Sequence, residues 1–82
     1  MMCRVSVKIG ENHYRSFFLR FTHCPCEVID VDGVCYICCY KFHDHSYRVE
    51  YFFYEKKCIG MMEFRSLKEM YGAVQKLLEE NL

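Results

Sequence analysis

The chain has 82 residues, enough for one small domain. Lys plus Arg number 11, Asp plus Glu number 11, and 52% of the residues are hydrophobic, so the formal charge is zero on an apolar chain. This excludes a disordered segment, which needs low hydrophobicity and high net charge, and it leaves no net positive field for general binding to nucleic acid or acidic membrane.

Residues 3–9 alternate, with Cys3, Val5, Val7 and Ile9 on one side and Arg4, Ser6 and Lys8 on the other. A period of two means a strand with one wet face. Gly10-Glu11-Asn12 is a turn signal, and a second strand follows over residues 13–22. A three-residue loop pairs Val7 with Arg15, Val5 with Phe17 and Cys3 with Leu19, which collects the apolar residues on one face. Pro25 then interrupts the pattern, because it cannot donate to a central ladder. Strands at 27–31 and 34–42 flank Asp32-Gly33, a strong hairpin signal. A two-residue turn there sets Val31 against Val34 and Ile29 against Tyr36, and it brings Cys26 to Cys39.

His43-Asp44-His45-Ser46 turns the chain into a strand at 47–54. Pairing about Asp44-His45 sets Tyr40 against Val49, Cys38 against Tyr51 and Tyr36 against Phe53. Glu55-Lys56-Lys57 is the next turn, and the last strand at 58–64 places Arg48 opposite Glu63. Ser66-Leu67-Lys68-Glu69 fits a capping box opening a helix over 67–80. Leu67, Met70, Tyr71, Val74, Leu77 and Leu78 form its apolar stripe. The expected fold is α+β: an antiparallel β-meander of five or six strands, with one C-terminal amphipathic helix packed on one face, in a single domain spanning 1–82.

Such a sheet should be polar on the face away from the helix. The residues expected there on the last strands are Cys35, Ile37, Cys39, Phe52, Tyr54, Ile59 and Met61, and they are apolar. A contiguous apolar patch on a small protein marks an interaction site. Ile37, Phe52, Tyr54, Ile59 and Met61 are therefore the candidate partner-binding residues, for another protein or for a second copy. The bland alternative is a second small core, formed by strong coiling of the sheet or by residues 22–27 folding beneath it.

No apolar leader precedes the first strand, and no run approaches the ~18 apolar residues of a membrane helix. The expectation is an intracellular, cytoplasmic protein with reduced thiols and no membrane contact. Seven cysteines is an odd number, and free cysteine usually packs as a small apolar residue. The chemical alternative is a structural zinc held by Cys24, Cys26, Cys39 and His43, which the expected hairpin register would gather. A redox pair of Cys26 and Cys39 would use the same register. Cys35 and Cys38, at odd spacing in a strand, point to opposite faces and make no knuckle.

No phosphate loop, nucleophile elbow or His-Glu-x-x-His appears, so catalysis is not expected. Arg4, Lys8, Arg15 and Arg20 against Glu11 give residues 1–26 a net charge of +3, and the remainder carries −3. Those four cations are candidate electrostatic contacts for an acidic partner surface. The expected function is a small non-enzymatic binding module, a stoichiometric inhibitor or adaptor. In size and build, though not in motif, it is similar to anti-CRISPR and other anti-defence antagonists of phages and mobile elements. The alternative is a zinc-stabilised regulatory or nucleic-acid-binding module.

Overall fold

The computed structural model describes residues 2–21 and 25–82, apart from the side chains of Met2, Cys3, Ile9 and Arg20. Six strands precede one helix: β1 (Met2–Gly10), β2 (His13–Arg20), β3 (Cys26–Val31), β4 (Cys35–Lys41), β5 (Tyr47–Phe53), β6 (Cys58–Phe64) and α1 (Leu67–Asn81). All strand pairs are antiparallel, and the fold is α+β. The expected strand end at Thr22 and the candidate ligand Cys24 lie outside the described residues.

The six strands divide into two sheets, a β1-β2 hairpin and a four-stranded sheet in the order β3-β4-β5-β6. β2 lies against β3 without a ladder between them. Pro25, just before β3, has no N–H to start one. The helix contacts β1, β5 and β6, so helix and hairpin lie side by side and together cover one face of the larger sheet. Val5, Val7 and Leu19 from the hairpin, Ile29, Val31, Ile37, Val49 and Phe53 from the sheet, and Met70, Val74 and Leu78 from the helix form one buried cluster.

The helix starts at Ser66, whose backbone is extended and whose hydroxyl accepts the Glu69 N–H at 3.3 Å. This satisfies one of the four orphan donors of the first turn. The Glu69 carboxylate is exposed and does not return the bond, so half of the expected capping box forms. Gln75 clamps the helix to the hairpin. The Ser6 N–H donates to Gln75 Oε1 at 3.0 Å, and Gln75 Nε2 donates to the Ser6 carbonyl and to Glu79 Oε1. One side-chain amide thus closes both outward backbone groups of Ser6 on an edge strand.

The β1-β2 register is the expected one, with Val7 opposite Arg15, Val5 opposite Phe17 and Cys3 opposite Leu19. It arises differently: Gly10 pairs with His13 across Glu11-Asn12, and the extra residue is taken up as a bulge between Lys8 and Gly10. The β5-β6 register is also as expected, with Arg48 opposite Glu63. The placement of β4 is corrected. Val31 pairs with Cys35, Ile29 with Ile37 and Cys26 with Tyr40, one residue away from expectation. Across β5, Tyr40 pairs with Arg48 and Cys39 with Val49, again shifted by one.

Both shifts come from turn chemistry. A two-residue hairpin turn of type I′ needs positive φ at both central residues. Gly33 has φ 74°, Asp32 does not have positive φ, and the Val34 N–H returns to the Val31 carbonyl at 2.8 Å. This is a type II turn, and Val34 joins the loop. At the other end of β4, His45 takes φ 65°, and the Phe42 N–H donates to the Ser46 carbonyl around three loop residues, 43–45. A slip of one residue exchanges the faces of a strand. Cys35, Ile37 and Cys39 therefore enter the core, while Tyr36 and Tyr40 face away from the helix.

Candidate interaction surface

Helix and hairpin both occupy one side of the four-stranded sheet, so the other side has no covering layer among the described residues. Register sets which side chains it presents: Val28 from β3, Tyr36, Cys38 and Tyr40 from β4, Arg48, Glu50 and Phe52 from β5, and Ile59, Met61 and Glu63 from β6. Ile59 is 78% exposed, Met61 57%, Val28 51% and Tyr36 44%. Tyr54 follows directly after β5 and sets its ring edge-on to Phe52 at 5.2 Å. Tyr36, Glu50, Phe52, Ile59 and Met61 line an open depression of about 350 Å³ on this face.

Toward the β4-β5 loop the surface becomes cationic and aromatic. The Arg48 guanidinium lies over the Tyr40 and Phe42 rings at 5.1 Å from each, and those rings stack at 6.3 Å. Arg48 Nε sits 3.6 Å from Glu50 Oε2, an ion pair just beyond hydrogen-bonding reach. Both side chains are partly solvated, so the pair orients Arg48 more than it stabilises the fold. Cys38 is almost covered, at 4% exposure, beside Tyr36. The Tyr36 phenol is pushed up to about 12, chiefly by its hydrogen bond with Cys38.

Of the residues expected to bind a partner, Phe52, Tyr54, Ile59 and Met61 belong to this surface. Ile37 does not; it is fully buried on the helix side, because β4 is one residue out of the expected register. Tyr36 takes its place. Alternation from outward Cys35, Ile37 and Cys39 would put Tyr36 and Tyr40 on the helix side, and no periodicity in an apolar β4 distinguishes its two faces.

The basic residues do not form one patch. Arg4 and Lys8 lie on the hairpin face away from the core, opposite the exposed Phe18 and Tyr14. Arg15 pairs with Val7 and belongs to the other face, with its guanidinium 5.9 Å from the Phe17 ring. The side chain of Arg20 lies outside the described residues.

The described members of the alternative zinc site, Cys26, Cys39 and His43, are not brought together. Cys26 pairs with Tyr40 and faces away from the helix, whereas Cys39 is buried on the helix side. Vectors pointing to opposite faces cannot close a disulfide either. His43 is exposed in the β4-β5 loop, and among the described residues no three His, Cys, Asp or Glu side chains converge on a metal position. The Cys39 thiol is pushed up to about 12, mainly by burial, and burial also raises Cys35. Both are held in the protonated form, the opposite of what a metal ligand or nucleophile needs. Among the described residues, no helix is long and apolar enough to cross a membrane. Comparison with protein-family models, curated proteins and solved structures finds no match for this chain.

Proposed function

We propose that this chain is a small protein-binding module that acts by stoichiometric association rather than catalysis, inside the cell, as an inhibitor or adaptor. The observation that supports it is the exposure of Val28, Tyr36, Tyr54, Ile59 and Met61 on one sheet face while helix and hairpin cover the other. Tyr, Phe, Met and Arg are the residue types enriched at protein interfaces. Here they lie around one depression, with Arg48 at its aromatic flank. An antagonist of a defence protein, of anti-CRISPR build, is the concrete form of this reading, and it rests on size and build alone.

The test is affinity capture from the native cell, comparing the natural chain with a Phe52→Asp and Ile59→Asp variant whose circular dichroism matches it. A single protein retained in a fixed ratio by the natural chain and lost by the variant supports the reading. Equal capture by both overturns it.

A further inference from the structure

Two of the strand edges, those of β1 and β6, are finished differently. On β1, the Gln75 amide occupies both outward backbone groups of Ser6. On β6, nothing does so. Antiparallel neighbours alternate between pairs that exchange both backbone hydrogen bonds and pairs that exchange none. The Tyr54 N–H donates to the Val34 carbonyl and the Phe42 N–H to the Ser46 carbonyl, each at 3.0 Å. The even-numbered residues of β5 therefore bond to β4, and its odd-numbered residues, Tyr47, Val49, Tyr51 and Phe53, bond to β6. Their partners are Phe64, Met62, Gly60 and Cys58, which leaves the N–H and C=O groups of Ile59, Met61 and Glu63 pointing out of the sheet. Among the described residues nothing bonds to them. The strand has no proline or lysine, and Ile59 and Met61 are its most exposed apolar residues. An exposed apolar edge of this kind is a template for another strand.

We infer that the occupant is a second copy of this chain, paired antiparallel through β6 with Gly60 on the two-fold axis. In that register Ile59 faces Met61 of the second copy and Met61 faces its Ile59, so the outward backbone groups of both residues are bonded. Glu63 lies at the end of the paired strand, next to the turn residue Lys57 of the second copy that precedes its β6, and Lys57 lies next to its Glu63, so charges of opposite sign come near one another at both ends. A register centred on Met61 would instead set Glu63 against Ile59. Gly60 suits the axis. The Tyr51 side chain already lies across it, and a Cβ there would collide with the Tyr51 ring and hydroxyl. The two tyrosines thus flank the axis, where a side chain at residue 60 would displace them.

Seven residues make an edge about 24 Å long, and helix beside sheet gives a side wall about 20 Å tall. Two such walls bury on the order of 1,000 Å², the lower end for specific association, so the dimer forms at micromolar or higher concentration. It joins two four-stranded sheets into one of eight strands. This inference concerns the backbone of an edge, and it stands or falls separately from the partner-binding face.

Sedimentation of the full chain from about 1 µM to about 1 mM tests it. A concentration-dependent monomer–dimer equilibrium is expected. Met61→Pro removes an outward N–H without touching the β5-β6 ladder, and it should leave a folded monomer. Lys57→Glu and Glu63→Lys each place like charges at both ends and should weaken the dimer about tenfold. The double variant should recover it, which does not depend on how proline is tolerated. A chain that stays monomeric throughout, or a dimer indifferent to the charge reversals and not rescued by their combination, overturns the inference.

Discussion

Gly60 and Tyr51 show how one residue without a side chain is used. Tyr51 leaves β5 on the helix side and crosses the edge strand over Gly60, where even one methyl group meets the ring. Gly60→Ala should cost about 1–3 kcal/mol, the usual range for overpacking. The measurement is urea denaturation, and combining the substitution with Tyr51→Ala should give less than the sum of the two costs, because the pair shares one space. Cys39 is a second case. Its thiol is pushed up to about 12 from an ordinary 9.0, mostly by burial, so the folded state holds the proton that the unfolded chain releases. The stabilisation is complete below about pH 9 and is lost as pH rises from there toward 12. The urea midpoint should therefore hold up to about pH 9 and fall from there to about pH 10.5. Cys39→Ala, less stable at every pH, should show a flatter decline.

Single elements carry the next level. The helix has a good apolar stripe and a cap, and Gln75 ties it to the hairpin by satisfying both outward backbone groups of Ser6. Gln75→Ala leaves the Ser6 N–H and carbonyl without their partner beside the helix. The expected loss is about 1–3 kcal/mol, with faster amide exchange at Ser6 than at its neighbours Val5 and Val7. Unchanged exchange at Ser6 would show that the clamp does not hold in solution. β4 is instructive in another way. Its core residues are Cys35, Ile37 and Cys39, and its outer residues are Tyr36, Cys38 and Tyr40. Either set could fill a core, so neither face announces itself, and the flanking loops select between them through the left-handed backbones of Gly33 and His45. Positive φ at a histidine is uncommon enough that residue type alone does not point to it.

At the scale of the whole molecule, one buried cluster draws on the hairpin, on β3, β4 and β5, and on the helix. No part has a core of its own, so unfolding should be a single cooperative transition. Far-ultraviolet circular dichroism and the accessibility of the buried Cys35 and Cys39 thiols should report the same midpoint, whereas the exposed Cys58 should react throughout. Two separated midpoints would mean that the hairpin melts independently. The same arrangement leaves the outer sheet face without a covering layer among the described residues, because one helix and one hairpin suffice for one face only.

Much of this architecture can be read directly from the residue order. Alternation in β1 and β2 identifies a wet and a dry face, so the hairpin register follows whichever way the turn is made. Arg48 and Glu63 align β5 with β6, and Ser66 with the stripe from Leu67 to Leu78 defines the helix. The surplus of apolar residues already implies an uncovered face, and Phe52, Tyr54, Ile59 and Met61 are recognisable members of it. The identity of its β4 residues is not, nor is the separation of Cys26 from Cys39. Those depend on whether a turn holds two residues or three, a difference of one backbone conformation that reverses every side chain of a strand. Where both faces of that strand are apolar, only packing against helix and hairpin tells them apart.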